Sequence, residues 1–165
     1  MIHIREAALS DILLIHNMAT QVFPHTYKDI LSDVQLDYMM EWMYSEESLR
    51  KQITEDGHIY YLAFKDEIAV GYVSIRPEGD NLYHLEKIYV LPNYQGLKLG
   101  KRLFMHAIEA VKSIHPAPCS IHLNVNRNNK ALHFYEYMGM KKIAEGDFPI
   151  GNGYFMNDYI MSMDV

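Results

Sequence analysis

The stretch VLPNYQGLKLGKRL, residues 90–103, constrains the fold more than any other part of this chain. It joins the end of a β-branched, aromatic segment to the first turn of an amphipathic helix. Only Pro92 and two glycines, Gly96 and Gly100, punctuate the passage. A strand that runs into a helix, followed by another strand at CSIHLNV, calls for a crossover connection and so for some parallel pairing. The sheet is therefore not purely antiparallel.

The remaining elements follow from periodicity. IHIREA opens the chain as a short strand, and Ser10 or Asp11 caps a helix carrying Ile12, Ile15, Met18, Ala19 and Val22 at helical spacing. FPHTYKDI reads as a loop. Helices are expected over 33–44 and 46–55, separated near Ser45. Past Gly57 the period changes, and HIYYLAFK, IAVGYVSI and LYHLEKIYVL read as strands with turns at Asp66-Glu67 and PEGDN. A helix over 99–115 is stopped by Pro116 and Pro118, and a shorter one, capped by Asn128 or Asn129, ends at Gly139. KKIAEGDFPI and YFMNDYIMSM close the chain as strands joined at GNG. The order is βααα-βββ-α-β-α-ββ, an α/β class with a mixed central sheet flanked by helices. No repeat or linker divides it, so residues 1–165 are read as one domain.

Composition narrows the function classes. A formal net charge of −6 argues against nucleic acid, whose phosphates require clustered Lys and Arg. The lone Cys119 cannot close an internal disulfide, which suits a reducing compartment. MIHIREAALSD lacks the apolar core of a signal peptide, and no apolar run nears the ~20 residues a membrane helix needs. A cytoplasmic protein without membrane partners is the expectation. Nine histidines invite a metal, but no metal-ligand spacing accompanies them, and none is expected.

Gln95, Gly96, Leu97, Lys98, Leu99, Gly100 and Lys101 have the chemistry of an anion site. A helix N-terminus presents unpaired N–H groups and a partial positive charge. Glycine lets the backbone approach phosphate oxygens, and the lysines add attraction. An ordinary strand-to-helix turn with solvated lysines is the competing reading. The P-loop and dinucleotide-binding spacings are both absent.

IYVLPNYQGLKLGKRL, with NRNNKALHFYEYMGM downstream, resembles the GNAT superfamily of acetyl-CoA-dependent N-acetyltransferases. The family turn is written Q/R-x-x-G-x-G/A, and Lys98 stands where its middle glycine usually lies. FPHTY and GDFPIGNGYFMNDYIMSM are similar to spermidine/spermine acetyltransferases of the PaiA type. The resemblance implies the GNAT acyl-CoA N-acyltransferase fold and acetyl-CoA as cosubstrate. Its pyrophosphate lies on residues 95–101, its pantetheine arm on the edge of Ile88, Tyr89 and Val90, with further contacts from Asn124 and Asn129.

The resemblance also implies Tyr135 as the acid that protonates the coenzyme thiolate; a packed core tyrosine is the alternative. Glu86 is a candidate base, taken to alternate in phase with His84, Ile88 and Val90, and His84 is the reserve. The Met and aromatic stripe over 38–44 is core, acceptor pocket or dimer surface, and Tyr27, Glu41 and Trp42 are candidate acceptor contacts alongside His84. The expected acceptor is a small amine or polyamine. A protein N-terminus or lysine is the alternative acceptor, and a non-catalytic acetyl-CoA sensor the alternative class.

Overall fold

A computed structural model describes residues 1–165. Seven strands form one sheet in the order β1-β2-β3-β4-β5-β7-β6. They are β1 (Ile2–Glu6), β2 (Ile59–Lys65), β3 (Ile68–Gly79), β4 (Leu82–Val90), β5 (Ser120–Asn126), β6 (Lys141–Gly151) and β7 (Tyr154–Asp164). Hairpin-joined neighbours are antiparallel, and β4 and β5, linked through a helix, are the parallel pair.

The helices are α1 (Ile12–Tyr27), α2 (Asp33–Tyr44), α3 (Glu46–Thr54), α4 (Leu99–Ile114) and α5 (Ala131–Tyr137). One face of the sheet packs on α1, α2 and α3 through Ile15, Phe23, Tyr44, Leu49 and Tyr72. The other packs on α4 and α5, with Leu103, Phe104, Ala107 and Val111 fully buried. Each large apolar side chain so removed from water contributes roughly 1.5–3 kcal/mol. Ser32 and Ser45 cap α2 and α3, accepting from the N–H groups of Gln35 and Ser48 at 3.1 Å.

Three local expectations need correction. FPHTYKDI is not wholly loop, because α1 continues through Pro24 to Tyr27. Proline removes one intrahelical donor, whereas Phe23 and Tyr27, one turn apart with tilted rings 4.7 Å between centroids, gain a common burial site. Asp11 precedes α1 but does not cap it with its side chain; the carboxylate accepts from Ala8 N–H at 2.8 Å and pairs with Arg5. Residue 130, not 128 or 129, occupies the position before α5, although Asn129 Oδ1 still accepts from Ala131 N–H at 2.9 Å.

Two irregularities in β4 position the site. Leu85 lies opposite Ile75 and Lys87 opposite Ser74, so Glu86 is an extra, bulged residue. Furthermore, β4 pairs with β5 only over Leu82–His84. Beyond His84 the two strands diverge, and a cleft opens between them.

Candidate active site

Two cavities meet at this cleft. A groove of about 1030 Å³ runs past β4 and the start of α4 to α5. A pocket of about 860 Å³ lies under α2 and α3 on the opposite side of the sheet. Tyr27, Glu86, Lys87, Tyr89 and Asn124 line both, and so mark the passage between them.

The groove collects the residues read as coenzyme-binding. Ile88, Tyr89, Val90, Gln95, Gly96, Lys98, Leu99, Gly100, Lys101, Asn124 and Asn129 all border it. Leu97 does not border it and is 44% exposed. Leu99 is buried in the core, which leaves its main chain to face the groove. The first intrahelical bond of α4 runs from Arg102 N–H to Lys98 O at 3.2 Å, so the amides of residues 99–101 precede the helical ladder. Five lysines (28, 87, 98, 101 and 130) border the groove against two carboxylates, Asp29 and Glu86. Such a lining fits a polyanionic, elongated ligand. Of these lysines, Lys28, Lys87 and Lys130 carry no sequence signal of the site, because none lies within the turn motif.

Lys98 explains its own departure from the glycine pattern. It adopts a left-handed conformation at φ +59°, ψ +22°, and Gly96 lies at φ +92°. The turn needs positive φ, which glycine supplies freely and lysine adopts at roughly 1 kcal/mol. A Cβ on Gly100 would meet nothing nearer than Phe134 at 3.9 Å. Gly100→Val is therefore expected to fold normally and yet to place a branched side chain where a phosphate would approach. Calorimetry should find coenzyme A affinity lowered at least tenfold; unchanged affinity would remove the turn from the site.

Tyr135 lines the groove, and its hydroxyl makes no hydrogen bond within the chain. Burial, with Tyr27 adding to it, raises this phenol above its ordinary range, so it stays protonated at neutral pH. Tyr27 and Tyr89 share a 3.1 Å hydrogen bond, and Asn129 Nδ2 donates to Tyr27 at 3.4 Å.

The bulge changes the expected phase of β4. Glu86 does share a side with His84, but Ile88 and Val90 pack on the α4 side of the sheet. Lys87, next to Glu86, faces the helices as well. Glu86 Oε1 pairs with Arg76. His84 Nδ1 lies 2.7 Å from Glu78 Oε2, the Nδ1–H donating, and His84 lines the pocket away from the passage.

The pocket also contains Glu41 and Trp42. Its lining carries six carboxylates, Glu41, Glu47, Glu78 and Asp158 among them, against the cations of Lys51, Arg76 and Lys87. His58 also lines it, and burial pushes this imidazole down to about 4, so it is neutral at pH 7. Lys87 went unassigned from sequence, being masked by strand alternation. Its Nζ donates to Gln52 Oε1 at 2.9 Å, Tyr60 at 2.5 Å and Met43 O at 3.4 Å. It also lies 4.4 Å from the centre of the Tyr44 ring. Burial pushes its pKa down to about 7. No group of three His, Cys, Asp or Glu side chains is placed to hold a metal, and no helix is long and apolar enough to cross a membrane.

The diverging parallel strand pair and the phosphate-type turn at the head of the following helix belong to an acetyl-CoA-dependent transferase, as a family comparison shows. The acetyltransferase (GNAT) family matches residues 18–140, and the chain belongs to that family, whose enzymes use acetyl-CoA. A spermidine N(1)-acetyltransferase of Thermoplasma acidophilum is 24% identical over 144 residues, covering 85% of this chain and 88% of the relative. The crystal structure of a PaiA N-acetyltransferase from Thermoplasma acidophilum in complex with coenzyme A superposes with a TM-score of 0.82 at 24% identity, over 100% of this chain and 99% of the other. A ribosomal-protein-alanine N-acetyltransferase from Escherichia coli superposes with a TM-score of 0.74 at 17% identity, over 100% and 94%.

Proposed function

We propose that this N-acetyltransferase acetylates a primary amine of a small di- or polyamine, by direct transfer at the passage lined by Tyr27, Glu86, Lys87, Tyr89 and Asn124. Acetyl-CoA supplies an activated acyl group and a thiolate leaving group. The observation that carries the reading is the opposite charge of two cavities that meet there: lysine-rich on the groove side, carboxylate-rich on the pocket side. An elongated cation suits the second as an elongated anion suits the first.

In this reading the turn of residues 95–101 holds the pyrophosphate, and Ile88, Tyr89 and Val90, with Asn124 and Asn129, hold the arm. A main-chain N–H of β4 polarises the thioester carbonyl; such donors are typically worth ~3 kcal/mol. Tyr135 gives its proton to the departing sulfur. Glu86, at the passage, draws the proton from the ammonium through water. His84 is the second candidate base. Tyr27, Glu41 and Trp42 contact the acceptor.

A protein N-terminus is the second reading. The half-exposed Trp42 and Phe155 at the pocket form an apolar rim that would suit a peptide. A screen of acetyl-CoA turnover against spermidine, spermine, smaller amines and peptides separates these readings. Polyamine turnover is expected to dominate, and to fall as ionic strength rises from about 0.05 to about 0.5 M and screens the carboxylates. Brisk peptide acetylation without polyamine turnover would favour the second reading. Coenzyme binding with no turnover of any amine would favour a sensor.

A further inference from the structure

Asp158 is the most anomalous charged side chain in the pocket. It lies on β7, opposite Asn126 of β5 and Gly146 of β6. The residue is 2% exposed. Buried carboxylates in folded chains are usually paired with a cation or saturated with donors. This one is neither. Asn124 Nδ2 donates to Oδ2 at 3.2 Å, and that is its only side-chain partner. Oδ1 has no partner, yet it is not sealed within protein; Asp158 lines the acceptor pocket. The guanidinium of Arg127, whose charge acts on this carboxyl, is engaged elsewhere, by Asp147 at 2.6 Å and Glu145 at 3.7 Å.

Its neighbours adjoin the passage. Asn124, its hydrogen-bond partner, lines both cavities. The groups that act on the carboxylate are His84 on β4, Arg127 after β5, and Tyr27 on α1, whose own titration it affects. Tyr27 also borders the passage. A cation held by Asp158 would therefore stand one side chain away from the point of transfer.

We infer that Asp158 receives an ammonium group of the acceptor beside the passage, and so selects cationic alkylamines over neutral ones. The inference rests on the proposed amine acetylation but not on the acceptor being a polyamine. The bond is charge-assisted, from ammonium N–H to Oδ1, and it completes a buried carboxylate that the chain itself leaves half satisfied. Burial raises the Asp158 carboxyl above the ordinary carboxylate range. A folded-state value raised above the unfolded one means the empty protein loses stability as pH rises through the unfolded value. An arriving ammonium reverses that loss.

Asp158→Asn preserves shape and the amide partner while removing the charge. With spermidine, the Michaelis constant is expected to rise about 30-fold, the size of a lost charge-assisted bond, with kcat changed severalfold at most and coenzyme A affinity unchanged. The variant is expected to fold at least as stably as the wild type. A second readout does not depend on turnover: in coenzyme A-loaded protein, the Asp158 carboxyl is followed by carbon NMR while spermidine is added, and its titration midpoint is expected to fall. Wild-type protein that binds spermidine in this way without acetylating it would sink the polyamine reading and keep the site. An unchanged Michaelis constant in the variant, or a carboxyl that stays protonated against a reoriented Asn124 amide and ignores the amine, would overturn the site and leave the polyamine reading standing.

Discussion

Tyr135→Phe is expected to lower kcat about 10²-fold and leave acetyl-CoA affinity essentially unchanged. The ring packs against Phe104 and Phe134, with centroid separations of 6.4 and 5.5 Å, and phenylalanine keeps both contacts. Because the hydroxyl has no partner in the chain, its removal orphans nothing, and stability should hold. What disappears is the proton available to the thiolate. The loss should persist across the pH range, since hydroxide cannot stand in for an acid. Glu86→Gln is expected to behave oppositely and regain rate at high pH, where free amine comes from solution. The measurement is kcat against pH for wild type and both variants. Full activity in Tyr135→Phe would make the tyrosine core packing. A wild-type profile in Glu86→Gln would pass the base role to His84 or to water.

Lys87→Met is expected to stabilise the protein by a few kcal/mol near pH 6, an advantage that fades toward pH 10. In the folded chain burial holds this amine near 7, against 10.5 for the ordinary group. Between those values the unfolded chain binds more protons, so wild-type stability rises with pH across the window; below it, the full cost of the buried ammonium remains. A shift of this size converts to about 5 kcal/mol at most. Methionine should collect that difference, because the partners that Lys87 leaves behind satisfy one another. Tyr60 donates to Gln52 Oε1 at 2.6 Å, and Gln52 Nε2 donates to Met43 O at 2.7 Å. Urea unfolding of both proteins at several pH values tests this. A stability difference that is flat with pH would mean that Lys87 remains an ammonium throughout, held by its three acceptors.

Much of this architecture was legible in the chain. The order of elements emerged from periodicity, because the core is two simple layers and each amphipathic pattern had one face to bury. The turn at 95–101 was legible as well, since positive φ and close backbone approach leave glycine in the sequence. Local signals misled where tertiary packing overrode them. Pro24 marked a loop by propensity, but Phe23 and Tyr27 carry the helix past it. The pocket was the least legible part. Arg76, Glu78, Lys87 and Asp158 come from three strands and gather only when the sheet forms. Nothing in their neighbours along the chain distinguishes them from solvated charges.

The extra residue at Glu86 behaves as a shift of reading frame in three dimensions. Up to Leu85, position along β4 assigns a side chain to one face by simple parity; from Lys87 onward the same parity assigns it to the other. One added residue thus turns Glu86 and Lys87 toward the acceptor and leaves Ile88 and Val90 against α4. Deleting any residue between Glu86 and Leu91 would restore regular alternation from Leu85 and leave only one of positions 86 and 87 on the acceptor side. Comparing acceptor preference across such enzymes therefore requires numbering β4 outward from its bulge, because a count carried back from the glycine turn assigns residues before Glu86 to the wrong side of the sheet.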